Sequence, residues 1–151
     1  SPIVGVHIWY DRTVMDQEFV AFLESPVQWV FNRTRIQASD STNGQYVCVS
    51  VSGAWDFIDR PKEELREMFA AEMARLFPGA ADAKIKRFLV VKQPQATFRS
   101  IPGASAHRPS QVTPIPNLFL AGDFTDTGWP STMEGAVRSG VFAAQALASG
   151  R

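Results

Sequence analysis

Residues 117–140 read NLFLAGDFTDTGWPSTMEGAVRSG, and the fold turns on this stretch. Leu118, Phe119, Leu120 and Ala121 form an apolar run closed by Gly122 and Asp123. Such a run predicts a short buried strand with a sharp exit, where glycine lets a ligand or a second backbone come close. Asp123 then stands at the C-terminal end of the strand, the usual ligand side of an open α/β sheet. After Gly128-Trp129-Pro130, Ser131 or Thr132 is placed to cap a helix over 132–148. One face of that helix carries Gly135, Ala136, Ser139, Gly140, Ala143 and Ala144, small enough to pack closely on a sheet or a flat ligand. Its first N–H groups lack intrahelical acceptors and are free to bond an electron-rich group. As a bare strand–loop–helix, however, the pattern is also that of an ordinary capped helix.

Outward from this stretch, the chain alternates strand and helix signals. Residues 3–10 are β-branched and aromatic, with apolar side chains on both faces, and predict a strand covered on both sides. Residues 17–24 predict a short helix or turn with Phe19, Val20, Phe22 and Leu23 inward. Strands are expected at 27–32 and 45–52, the latter with Val47, Val49 and Val51 on one face. The Asn43-Gly44 step between them is a hairpin signal. Asp59-Arg60-Pro61 opens a helix over 61–77, with Glu63 and Glu64 favouring the positive end of its dipole. Leu65, Met68, Phe69, Met73, Leu76 and Phe77 recur at helical spacing as a core face, and Pro78-Gly79 ends it. Another strand is expected at 84–92. The irregular stretch 93–117 holds five of the ten prolines, and loops of that length usually have a job. These elements predict an α+β fold: a mainly antiparallel sheet of about four to five strands, a central helix and a C-terminal helix.

Composition sets the outer limits. The 151 residues suit one domain, 45% of them hydrophobic, and 15 basic residues balance 15 acidic ones. A net charge of zero argues against nucleic acid as a partner, since neutralising phosphates takes a surplus of Lys and Arg. No run approaches the ~18 apolar residues of a membrane span, and the first residues lack the layout of a signal peptide. One cysteine, Cys48, excludes an internal disulfide, and with only two histidines no metal site is expected. Cys48 reads as an inert core thiol in a reducing compartment. Asp56, Asp59 and Asp82 lack metal-ligand spacing. Ser105 and His107 lack a nucleophile elbow and an acid partner, so no hydrolase triad is read.

As a whole, residues 117–140 resemble the C-terminal flavin motif of the FAD-dependent amine oxidase and phytoene desaturase superfamily. The matching residues are Leu120-Ala121-Gly122-Asp123, Met133-Glu134-Gly135-Ala136 and Ser139-Gly140. The likeness is closer to the squalene-associated FAD-dependent desaturases, or hydroxysqualene dehydroxylases. It extends to Ser1-Pro2-Ile3-Val4, residues 6–12, Ser25-Pro26 and residues 27–31, Gln95-Ala96-Thr97-Phe98 and Arg108-Pro109.

The resemblance implies a site. Asp123 would bond a hydroxyl of the flavin's ribityl chain, and the amides around Thr132 and Met133 would face the pyrimidine side of its ring. Gly122 and Ala136 would permit close approach. Trp129 and Pro130 would lie near the ring or the substrate cavity, and His7 would be a polar group facing that cavity. Catalytic residues are not assigned. The superfamily's Gly-x-Gly-x-x-Gly pyrophosphate fingerprint is missing from this sequence. The resemblance therefore implies the C-terminal portion of a two-domain flavoenzyme, with residues 1–116 on the substrate side and 117–151 forming the FAD-contacting strand–loop–helix. Its expected partners are an apolar isoprenoid substrate and an N-terminal nucleotide-binding half. Alone, the chain is expected to be inactive, to hold no FAD tightly, and to self-associate through exposed apolar surface. The parent is expected in the cytoplasm, with peripheral membrane contact. The alternatives are a flavin amine oxidase or protoporphyrinogen oxidase relative, and a non-catalytic interaction module that keeps the fold.

Overall fold

The computed structural model describes residues 1–38 and 44–150. The chain divides into two compact units, Ser1–Thr97 and Phe98–Arg151. The partition falls after Thr97 rather than between 116 and 117. Arg108, Pro109 and Gln111 account for the difference, because their hydrogen bonds run to residues 120–129.

The first unit contains β1 (Ile3–Tyr10), β2 (Phe19–Ala21), β3 (Trp29–Asn32), α1 (Arg33–Ile36), β4 (Gln45–Ser52), α2 (Lys62–Leu76), α3 (Pro78–Ala81) and β5 (Ile85–Gln93). Its strands form one antiparallel sheet in the order β2-β3-β4-β1-β5. The α+β architecture and five-stranded sheet match the sequence expectation. β1 pairs on both sides, setting Val4, Val6 and Ile8 opposite Val51, Val49 and Val47, and Val6 opposite Val90. Strand alternation sends these side chains to one face, where they form a single core with Val30, Leu65, Phe69 and Met73. α2 supplies the last three from its predicted stripe. It starts after Pro61 and ends where Phe77 becomes extended and donates its N–H to the Met73 carbonyl.

Several local expectations differ. Residues 19–21 form an edge strand rather than a helix or turn, with Phe19 opposite Phe31 and Val20 opposite Val30. A helix this short gains little on its own, whereas strand pairing supplies partners directly. Leu23 is 92% exposed and Phe19 also faces outward. β1 is not covered equally: Val4, Val6, Ile8 and Tyr10 are buried, while Ile3, Gly5, His7 and Trp9 are only half-buried. Cys48 lies opposite His7 on this outer face rather than in the core. Burial raises its thiol above the usual range, as expected for an inert cysteine. β3 and β4 pair antiparallel as predicted, with α1 between them, while Asn43 lies outside the described residues.

The second unit contains a 3-10 turn (Ala104–His107) and α4 (Met133–Ala148). The strand expected at 118–122 is reduced to one bridge, Phe119 to Val112, and Leu118 is exposed. Without a neighbouring strand on either side, an apolar run has no ladder to join.

One contact ties the start of β3 to α2. Glu72 accepts from Arg75 through Nε (2.8 Å) and Nη2 (2.6 Å), and from Ser25 Oγ (2.6 Å), which itself accepts the Val27 N–H. Arg75 first, then Ser25, lower the carboxyl from 4.5 to about 2. A depressed folded-state value adds stability above pH 4.5 that is lost as pH falls towards 2. Urea unfolding should therefore show Glu72→Gln less stable than the native chain at neutral pH, with the gap closing between pH 4.5 and 2. A gap independent of pH would contradict this.

Candidate functional site

The predicted cofactor residues are brought together in the second unit. Thr132, not Ser131, is the N-cap of α4: its backbone is extended and its Oγ1 accepts the Gly135 N–H. The Ala136 N–H then reaches the Thr132 carbonyl at 2.9 Å, the first backbone bond of the helix. Gly135 is obligatory here, because a Cβ would lie 2.5 Å from the Pro130 carbonyl oxygen. That contact seats the Trp129-Pro130 loop directly on the first turn.

The Gly122–Asp123 corner is tied to the same helix. The Gly122 N–H donates to Ser139 Oγ at 2.7 Å, and that hydroxyl donates to the Ala136 carbonyl at 2.6 Å. Thr125, fully buried, donates its hydroxyl to the Gly122 carbonyl. Asp123 accepts the Ser131 hydroxyl on Oδ2 at 2.6 Å, and its Oδ1 has no partner among the described residues. Gly122 has φ +153°, and a Cβ there would run into the Phe124 ring.

Sequence reading missed the residues behind this loop. Arg108 donates through Nη1 to the Trp129 carbonyl (2.7 Å) and through Nη2 to the Asp123 carbonyl (2.9 Å). Its Nε is buried without a partner among the described residues. Gln111 donates to Thr125 Oγ1 and the Asp126 carbonyl, both at 2.9 Å, while its own carbonyl accepts the Leu120 N–H. The proline-rich stretch thus has a job: it backs the Asp123–Ser131 loop. Arg108 carried a visible signal in the Arg108-Pro109 match, whereas nothing marked Gln111 for burial.

In front of this scaffold, α4 exposes Met133 (88%), Val137 (66%) and Val141, at successive i, i+4 positions. Of the small-residue face, Gly135 and Ser139 are buried, Ala136 and Ala143 half-buried, and Gly140 and Ala144 exposed. Trp129 is half-exposed beneath the Arg138 guanidinium, 4.5 Å from its ring centroid. A cleft of about 480 Å³ lies beside it, lined by Phe98, Ile101, Arg108, Trp129, Pro130 and Ser131.

His7 belongs to the first unit, on the outer face of the sheet. Tyr46 stacks on Trp9 with centroids 4.4 Å apart and planes 6° apart, and its hydroxyl lies 2.6 Å from His7 Nδ1. Phe19, Trp29 and Phe31 form a second aromatic group on the same face. Burial first, then the Arg33 charge, lowers the His7 pKa, so its neutral form is favoured. Burial is also the largest cause raising Tyr46. Among the described residues no group of His, Cys, Asp or Glu could hold a metal, and no helix is long and apolar enough to cross a membrane.

The model of the flavin containing amine oxidoreductase family matches residues 1–148. The chain belongs to this family. It is 33% identical to a 15-cis-phytoene desaturase of Synechococcus elongatus, over 97% of the chain and 32% of that protein. It is 40% identical to a hydroxysqualene dehydroxylase of Rhodopseudomonas palustris, over 68% of the chain and 24% of that protein. Among solved structures, a cyclohexylamine oxidase from Brevibacterium oxydans shares the fold. The TM-score is 0.68 at 20% identity, over 98% of this chain and 35% of that one. The chain thus spans about a quarter to a third of the relatives it matches.

A flavin fits the residues present. The open Asp123 Oδ1 is an acceptor for a polyol hydroxyl. The N–H groups of Met133 and Glu134 precede the first intrahelical bond of α4 and suit an electron-rich ring edge. Exposed Met133 and Val137 offer apolar surface beside them.

Arg108 spans two carbonyls that a shorter side chain leaves bare. Arg108→Ala should weaken the loop by about 1.5–3 kcal/mol, the range for hydrogen bonds from charged donors, with discounting for the exposed Trp129 bond. Hydrogen exchange should show faster amides across 123–131 and unchanged protection in β1. Arg108→Lys should recover part of the loss, since one ammonium cannot fork to both carbonyls. Unchanged exchange in 123–131 would remove Arg108 from this role.

Proposed function

We propose that this chain is the C-terminal portion of an FAD-dependent oxidoreductase acting on a long apolar isoprenoid of the squalene or hydroxysqualene type. The first unit would supply a wall of the substrate cavity and residues 117–151 the flavin contacts. The carrying observation is the outer face of the sheet. Phe19, Trp29, Phe31, Trp9, Ile3 and Leu89 lie on it, and among the described residues no strand contributes a carboxylate to it. The charged side chain that β5 adds is the Arg87 guanidinium, stacked over Trp9. A surface of this kind suits a hydrocarbon chain and offers no counter-ion to an ammonium, which weighs against an amine substrate. Similarity to desaturase and dehydroxylase relatives supports the isoprenoid class, and the 40% identity to the latter supports the squalene type.

When bound, the flavin supplies hydride exchange with the substrate. The chain's own residues hold and shield. Asp123, fixed by Ser131, would hold the ribityl chain, and the first N–H groups of α4 would face the electron-rich ring edge. Ala136 would leave room for the cofactor, whereas the space beside Gly122 is taken by the Phe124 ring, and Met133, Trp129 and Pro130 would exclude water. This reading places the enzyme in a reducing compartment, in peripheral contact with the membrane that stores its substrate.

The test is turnover by the whole protein. Hydroxysqualene or squalene should be consumed and primary amines left untouched. Oxidation of amines with no isoprenoid turnover would overturn the assignment. The 151-residue chain alone should self-associate through Met133, Val137 and Val141. A concentration-independent monomer on size exclusion would contradict this part.

A further inference from the structure

We propose that His7 and Tyr46 form a hydroxyl-recognition pair that selects an isoprenoid alcohol over the corresponding hydrocarbon. The inference rests on the reading of the outer sheet face as substrate wall and names what that wall discriminates. On this face the pair has aromatic and aliphatic side chains on either side, with the Arg33 charge close enough to act on both rings and Arg87 over Trp9. Trp9 stacks on Tyr46, and Leu89 stands directly opposite His7 on β5. Cys48, opposite His7 on β4, directs its thiol to the Val49 carbonyl. The other polar side chains that β4 adds, Ser50 and Ser52, lie further along the strand.

Hydrogen-bond arithmetic shows what the pair can bind. The 2.6 Å contact uses one donor and one acceptor between Nδ1 and the hydroxyl. If the tyrosine hydroxyl donates to Nδ1, Nε2–H remains as a donor and the phenol oxygen as an acceptor. If Nδ1–H donates instead, the phenol O–H remains as a donor and Nε2 as an acceptor. In either tautomer of the neutral histidine the phenol oxygen keeps one hydrogen-bonding position for an alcohol, as acceptor or as donor, while Nε2 points away on the far side of the ring. No protein group takes that position on the phenol oxygen among the described residues. The stacking of Tyr46 on Trp9, with Arg87 over the Trp9 ring at 4.8 Å, fixes the hydroxyl's direction before any ligand arrives. A hydrocarbon lying over the pair would strip water from the phenol oxygen and return nothing, whereas an alcohol replaces that water's bond.

The experiment is equilibrium binding by the whole protein of two probes with one C15 skeleton, farnesol and farnesene, read by tryptophan fluorescence quenching. The native protein should bind farnesol about tenfold more tightly or better, because a site that bonds a hydroxyl rejects the analogue lacking it. Tyr46→Phe keeps the ring stack and removes the hydroxyl. It should bring the two affinities close together, mainly by weakening farnesol. His7→Leu, which keeps the Tyr46 hydroxyl but removes the Nδ1 partner that directs it, should narrow the gap and guards against a folding defect in either variant. Equal affinities in the native protein, or a preference that survives both substitutions, would overturn the pair's role while leaving the substrate-wall reading standing. Failure of the native protein to bind either probe would overturn the wall reading and the pair with it.

Discussion

The double pairing of β1 is the constraint on which the first unit depends. It is hydrogen-bonded to β4 on one side and β5 on the other over its whole length. Once both registers are set, a one-residue slip in either strand would turn a row of valines out of the core. The same alternation that buries Val4, Val6, Ile8 and Tyr10 compels Ile3, Gly5, His7 and Trp9 to the opposite face. The aromatic outer surface is thus produced by the register of the core. Tyr46 meets Trp9 because Val47 must meet Ile8.

The second unit is held differently. Among its described residues the one ladder contact is the bridge of Val112 and Phe119, and its order comes from side chains that satisfy loop carbonyls and amides. Arg108, Gln111, Thr125 and Ser139 replace the missing strand bonds one at a time. Such a scaffold suits a cofactor loop, since each bond positions a particular backbone group rather than a periodic row. It also leaves Met133, Val137 and Val141 of α4 without cover, in contrast to Leu65, Phe69 and Met73 of α2, which are buried in the core.

How legible each part was follows from these two modes. Period-2 valines in 45–52 and the 3.6-residue spacing of Leu65, Phe69 and Met73 are repeated signals, so β4 and α2 could be read locally. Residues 19–21 could not, because their strand state comes from Phe31 and Val30, ten or so residues away. The 118–122 run failed for the complementary reason: its apolar character was right, but no strand stands beside it to pair with. At the site, Gly122, Asp123, Thr132 and Met133 stood out through the resemblance of the whole string to a flavin motif, and the cap at Thr132 could be read from the residues themselves. Arg108 and Gln111 act across 15 to 21 residues through backbone carbonyls, and no side-chain pattern records a carbonyl's partner.

Gly135 shows how tightly local chemistry and the site are joined. Alanine is the better helix former by roughly 1 kcal/mol, so propensity alone disfavours glycine at this position. Yet a methyl group there would meet a backbone carbonyl at 2.5 Å, and backbone cannot swing aside as a side chain can. Forcing the loop away costs about 1–3 kcal/mol by the usual scale of overpacking, which exceeds the gain in propensity. It would also shift Pro130 relative to Thr132 and draw Ser131 from Asp123. The glycine is therefore kept for the loop's position and not for the helix. The same reasoning applies to Ser139, whose hydroxyl spans from the Ala136 carbonyl to the Gly122 amide and makes the helix a template for the turn.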